Sequence, residues 1–347
     1  MALIHAGVDM RRRQPQVAVL GAGSWGTAVA SIVAASAPTM MWARSPEVAE
    51  DIDSNGRNSR YLGDVQLTEG LRATSHMENA VHDADVLIMG VPSHGFREAL
   101  EQAAPYVRPW IPVVSLVKGL EQGTDHRMTQ IVAEVLPGHP AGVLSGPNIA
   151  SEIVAGYAAA ATIAMPDQNS ATQLAALFRT ERYRIYSTTD VLGVEVAGAL
   201  KNVFAIAAGM GDGIGAGYNT KAMVITRAVR EMTRFGEALG GDHQTFTGLA
   251  GTGDLIVTCT SPASRNRRVG EEIGKGRTID EVMAGMHQVA EGVKAVSAVM
   301  DVADRLGIDM PIAAEVDGVV NKGRTAEDAY RGLLKGTPGH EVHGEGW

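Results

Sequence analysis

The sequence predicts an α/β chain in two parts, a parallel-sheet domain followed by an all-α domain. Three observations carry this expectation. From Gln16 to about Ser187, short apolar runs alternate with helical stretches, the pattern of βαβ units. From Leu192 onward the apolar residues recur at helical spacing and strand-like runs almost vanish. Between the first apolar run and the first helical stretch stand Gly21, Gly23 and Gly26, the GxGxxG spacing of a Rossmann-type strand-to-helix turn.

The predicted strands are 17–20, 39–43, 86–91, 113–117, 143–145, 159–165 and 184–187. The clearest predicted helices are 27–35 in the first half and 194–210, 221–239, 291–306 and 311–320 in the second. The expected boundary falls near residues 189–193, giving a dinucleotide-binding domain at 16–190 and a helical substrate and dimerisation domain at 191–335. Residues 1–15, with Arg11, Arg12 and Arg13 but no apolar core after them, read as a frayed extension, and 336–347 as a mobile tail. In the glycine loop, the first glycine permits a tight turn, the second clears a side chain from the approach of a pyrophosphate, and the third lets helix and strand pack closely. The phosphates would sit on the unpaired N–H groups of the helix start. A plain structural turn is the alternative.

Composition narrows the function classes. A formal charge of −9 argues against general nucleic-acid binding, which needs an extended basic surface. Cys259 is the only cysteine, so the chain has neither an internal disulfide nor a thiolate cluster for a metal. With no HExxH pattern and no clustered carboxylate set, no metal is expected. No apolar run is expected to approach the length of a membrane span, and a soluble cytoplasmic protein is expected.

The second strand ends Trp42-Ala43-Arg44-Ser45, with no acidic residue to hold the ribose hydroxyls of NAD. Arg44 and Ser45 instead suit the extra phosphate of NADP, so NADPH is weakly preferred over NADH; an ordinary exposed arginine is the alternative. Later strand ends carry Val91-Pro92-Ser93, Lys118-Gly119 and Ser145-Gly146-Pro147-Asn148, the loops that border the ligand crevice of an open α/β sheet. Lys118 is either a solvated lysine or a group that polarises a substrate oxygen. In the helical half, Lys201 and Asn202 interrupt a small, apolar helix. A lysine there is desolvated, which lowers its pKa toward the range of proton exchange, unless it snorkels to water. Asp254, in a glycine-rich stretch, is placed to pair with Lys201 or merely to cap a helix. Ser264, Arg265 and Asn266 enter a helix and form either a phosphate cradle or a solvated basic face. Glu291 either holds cofactor hydroxyls or complements a helix dipole. His94 and His126 are weaker candidates for a base than Lys201.

Taken together, GAGSWGTA, Lys118-Gly119, Ser145-Gly146-Pro147-Asn148, the Lys201-Asn202 helix, Gly253-Asp254-Leu255 and Ser264-Arg265-Asn266 resemble NAD(P)-dependent glycerol-3-phosphate dehydrogenases of the bacterial biosynthetic type. The resemblance runs from about Val17 to Val320. It implies a homodimer that reduces dihydroxyacetone phosphate to sn-glycerol 3-phosphate for phospholipid synthesis. It makes Lys201 the residue that exchanges the proton. It matches Ser24, Trp25, Arg44, Ala150, Val289 and Glu291 to cofactor-binding positions, and Lys118, Gly146, Asn148, Asp254, Ser264, Arg265 and Asn266 to substrate-binding ones, with Lys118 and Arg265 also able to touch cofactor. Asn202 is grouped with the substrate-binding residues beside Lys201, and Lys118 and Asp254 with the catalytic ones. The chain departs from the family at Asn148, where many relatives have serine, at Tyr218, where an acidic residue is usual, and at Ala228, where glycine is. The nearest alternatives are another two-domain dehydrogenase, of the phosphogluconate or β-hydroxyacid type, and a non-catalytic dinucleotide sensor.

Overall fold

A computed structural model describes residues 14–286 and 290–334. The chain divides into two compact units: residues through Val117 together with His126–Val191, and Lys118–Asp125 together with the residues from Leu192 onward. Among the described residues the first unit holds every strand and the second is helical, so the α/β-then-α reading is borne out.

The sheet unit has eight strands: β1 (Val17–Leu20), β2 (Thr39–Trp42), β3 (Leu71–Thr74), β4 (Val86–Met89), β5 (Val113–Ser115), β6 (Ala141–Ser145), β7 (Ala159–Ala164) and β8 (Tyr183–Thr188). They lie in the order β3-β2-β1-β4-β5-β6-β7-β8. Every pair is parallel except β6 with β7. The link between those two strands, residues 146–158, holds only the five-residue helix Ala150–Val154.

The central strands are apolar on both faces because helices cover both. Val17, Val19, Met41 and Ile88 enter one core with the Ser24–Ala34 helix, while Ala18, Leu20, Leu87 and Met89 enter the other with the Ser93–Ala103 helix. β3 escapes sequence reading for a physical reason. It is an edge strand with only Leu71 buried, and Arg72 is held by an ion pair to Asp53 at 2.7 Å rather than by packing.

In the helical unit, one core gathers residues from Val196 to Leu333 around the Val191–Gly213 helix. That helix corrects one expectation, since it is long and apolar enough to cross a membrane. Within its apolar window, 89% of the residues are buried inside the protein, so it is the central core helix of this unit. Its small residues let a second helix, Arg265–Gly274, come within backbone contact. A methyl group at Gly209 would lie 1.9 Å from the Arg267 carbonyl oxygen, and one at Gly270 would lie 2.0 Å from that of Ile206.

Candidate active site

Each unit carries candidate site residues of its own. In the sheet unit, β1 ends in a turn that only glycine tolerates. Gly21 has φ +108°, and a Cβ there would lie 2.7 Å from the Gly90 carbonyl carbon. A Cβ on Gly26 would lie 2.1 Å from the Gly21 carbonyl oxygen, so this glycine lets the helix press onto the turn. Gly23 differs: a Cβ there would meet nothing within 4 Å, so the space over it is open.

Gly23 N-caps the Ser24–Ala34 helix with no side-chain cap, and the first intrahelical bond runs from the Thr27 N–H to the Gly23 carbonyl at 2.9 Å. The N–H groups of Ser24, Trp25 and Gly26 therefore lie ahead of the helix ladder, where an anion is favoured. The Trp25 Nε1 is buried with no hydrogen-bond partner among the described residues. These features fit a dinucleotide pyrophosphate. The Ser24 hydroxyl is engaged elsewhere, donating to the Tyr61 carbonyl at 3.1 Å. Asn58, which sequence reasoning missed, is fully buried and braces the loop, its Nδ2 donating to the Ala22 carbonyl at 3.0 Å and to Thr27 Oγ1 at 2.8 Å.

Beyond β2, Arg44 is exposed, while Ser45 caps the Pro46–Asn55 helix and donates to Glu47 Oε2 at 2.5 Å. Of the pair expected to hold a 2′-phosphate, Ser45 is held by Glu47, and Arg44 has no side-chain partner among the described residues. Gly146 and Asn148 stand at the end of β6 and Ala150 opens the short helix after them. His94 is exposed on the first turn of the Ser93–Ala103 helix, and His126 lies 3.1 Å from Glu134.

In the helical unit the structure brings together Lys118, Lys201, Asn202, Asp254 and Asn266. Lys201 Nζ donates to Asp254 Oδ1 at 2.5 Å and to Thr258 Oγ1 at 2.8 Å. Lys118 Nζ donates to the other carboxylate oxygen of Asp254 at 2.6 Å. Asp254 is 1% exposed and Lys201 6%, so one carboxylate faces two ammonium groups almost without water. Burial pushes the Lys201 pKa down to about 7; Lys118 adds to the shift and Asp254 opposes it.

Asp254 is aimed by local backbone. A single π turn over Leu249–Gly253, closed by the Gly253 N–H on the Gly248 carbonyl at 3.0 Å, delivers it as the first residue of the Asp254–Thr260 helix. Thr258 lies one turn later on the same face and donates to the Asp254 carbonyl at 2.6 Å. Sequence reasoning missed Thr258; its only signal is the i, i+4 spacing from Asp254. The neighbouring Cys259 is buried, its thiol pushed up to about 12 by desolvation, and is no nucleophile at neutral pH.

A chain of amides runs on from this cluster. Asn202 Nδ2 donates to the Lys118 carbonyl at 2.9 Å, Asn266 Nδ2 donates to Asn202 Oδ1 at 3.0 Å, and the Gly292 N–H donates to Asn266 Oδ1 at 2.9 Å. Four segments are thus fixed to one another. Ser264 caps the Arg265–Gly274 helix, its Oγ accepting from the Arg267 N–H at 3.2 Å. Arg265 opens that helix, and desolvation lowers its pKa against the pull of Glu291. Glu291 is the first residue of the Glu291–Leu306 helix. Val289 lies outside the described residues. Of the two other departures, Tyr218 is 90% exposed and Ala228 is wholly buried.

Comparison with known proteins agrees along the whole described length. The family model for the NAD-dependent glycerol-3-phosphate dehydrogenase N-terminus matches residues 16–171, and that for the C-terminus matches residues 190–331. A glycerol-3-phosphate dehydrogenase [NAD(P)+] of Mycobacterium avium is 64% identical over 96% of this chain and 98% of its own length. One of Mycobacterium tuberculosis is 63% identical over 97% and 99%. The crystal structure of glycerol-3-phosphate dehydrogenase (gpsA) from Coxiella burnetii, 32% identical, superposes with a TM-score of 0.88 over 93% of this chain and 99% of that one. A ketopantoate reductase from Ralstonia eutropha, 17% identical with a TM-score of 0.56, shares the fold alone. On the matches of both halves and these near-full-length relatives, the chain belongs to the NAD(P)-dependent glycerol-3-phosphate dehydrogenase family of oxidoreductases.

Proposed function

We propose that this chain interconverts dihydroxyacetone phosphate and sn-glycerol 3-phosphate, with Lys201 as the group that gives and takes the proton. The observation that carries the reading is the buried lysine whose pKa is about 7, held between Asp254 and Thr258. When bound, the reduced nicotinamide supplies a hydride to the substrate's carbonyl carbon. The Lys201 ammonium donates its proton to the carbonyl oxygen in reduction, and the neutral amine takes it back in oxidation. Asp254 keeps Lys201 and Lys118 apart and oriented, and Lys118 offers a second positive charge to the substrate oxygen. Arg265 and Asn266, with Ser264 holding their helix start, anchor the phosphate far from the reacting carbon, so that binding energy orients it. Gly146 and Asn148 contact the substrate, and Ala150, Val289 and Glu291 the cofactor.

Arg44, exposed and uncommitted, favours NADPH over NADH. The protein works as a cytoplasmic homodimer whose product feeds glycerophospholipid synthesis. Purified protein mixed with dihydroxyacetone phosphate is expected to oxidise both NADH and NADPH, the latter faster at limiting cofactor. Lys201→Ala should cut turnover by about 10² to 10⁴ while cofactor affinity is kept. A Lys201→Ala protein with near-normal turnover would overturn the assignment.

A further inference from the structure

Asn148 stands just after β6, and its surroundings are specific. Its Oδ1 accepts a hydrogen bond from the Tyr183 hydroxyl at 2.8 Å. Tyr183 comes from β8, 35 residues further along the chain, and is 2% exposed. The other end of the same amide, Nδ2, is buried without a hydrogen-bond partner among the described residues. So is the hydroxyl of Ser145, a residue with no exposed surface. Between them, Gly146 has φ +140°, and a Cβ there would lie 2.9 Å from the Ala161 Cα, so the loop rests directly on β7. Two buried polar groups at the end of β6 thus lack a partner among the described residues, where the backbone has little room to relax.

An asparagine amide is a plane with an acceptor at one end and two donors at the other, and committing one end fixes the direction of the other. We propose that Tyr183 is a positioning residue for substrate recognition, its hydroxyl holding the Asn148 amide so that Nδ2 is presented as a fixed donor to an oxygen of the triose phosphate. The inference rests on the reading of Asn148 as a substrate-binding residue. Tyr183 itself touches no substrate. It removes the rotational freedom that Asn148 would otherwise lose on binding, a form of pre-organisation.

The test is a double-mutant cycle on steady-state kinetics with the full chain. Tyr183→Phe removes one hydroxyl and keeps the ring. It should raise KM for dihydroxyacetone phosphate about threefold to tenfold, leaving kcat and KM for NAD(P)H unchanged. Asn148→Ala should raise the same KM at least as much, and adding Tyr183→Phe to it should change nothing further. Asn148→Asp keeps the acceptor for Tyr183 but loses the donor, so its KM should also rise, and this arm needs no change at Tyr183. If Asn148→Ala leaves KM unchanged, the substrate reading of the loop fails and the positioning role with it. If Asn148→Ala raises KM but Tyr183→Phe does not, or the two effects simply add, the substrate reading survives and the positioning role is overturned. A normal KM for Asn148→Asp overturns the donor assignment.

Discussion

A lysine ammonium is useful as an acid near neutral pH only if something destabilises its charge, and at Lys201 burial does so, bringing the pKa to about 7. The sign of the pH dependence follows. Reduction needs the protonated form, so its kcat should hold at low pH and fall as pH rises through about 7; oxidation needs the neutral amine and should rise over the same interval. Asp254 opposes the shift, so removing its charge has a definite direction. In Asp254→Asn the two lysines face each other without a carboxylate, the Lys201 pKa should drop further, and the reductive limb should move to lower pH. Turnover at pH 7 should fall by about 10²-fold. Profiles of kcat against pH in both directions check this, and a limb that stays in place would mean that the carboxylate does not govern the lysine.

The spacing between Lys201 and Asn266 is set by two helices. Lys201 and Asn202 ride on Val191–Gly213, Asn266 on Arg265–Gly274, and the Asn202 to Asn266 hydrogen bond of 3.0 Å needs the two backbones in contact. Gly209 and Gly270 permit that contact. Gly270→Ala would drive a methyl group into the Ile206 carbonyl and force the helices apart. Overpacking of this kind costs about 1–3 kcal/mol, which denaturant unfolding should register, and KM for dihydroxyacetone phosphate should rise with it. An Ala variant as stable and as active as the parent would show that the close approach is not needed. The first of these helices is readable in the sequence from its apolar spacing, and of the second only the start is, from Ser264-Arg265-Asn266. The π turn that aims Asp254 was not, since its hydrogen bonds run i to i+5 through a glycine-rich stretch with no periodic signal. β3 was missed for the same kind of reason, as an edge strand needs no apolar run.

The open glycine loop lies in one unit and the lysine–carboxylate cluster in the other. Ligands that bind the folded chain should therefore stabilise it separately. At about 100 times its Kd each contributes roughly 2.7 kcal/mol by mass action, readable as a rise in Tm. In Arg265→Ala the shift given by NADPH should persist while that given by sn-glycerol 3-phosphate is largely lost. In Arg44→Ala the NADPH shift should shrink toward that of NADH, because Arg44 carries the positive charge of the Arg44-Ser45 pair and the Ser45 hydroxyl is held by Glu47. Loss of both shifts in Arg265→Ala would contradict a phosphate role confined to the substrate.

The sequence by itself determined the alternation of strands and helices, the glycine turn, the lysine set in an apolar helix and the family to which these motifs belong. Periodicity and backbone permissiveness are local properties, and each is written in a few neighbouring residues. Only the tertiary structure decided that Lys201, Asp254 and Lys118 meet, that Thr258 joins them, that Asn202 and Asn266 link four segments, and that Tyr183 holds Asn148. It also decided that β7 runs against β6. The physical reason is common to all of these: they are contacts or directions set by packing between segments as many as 136 residues apart, and no local pattern encodes which distant partner will fill a site.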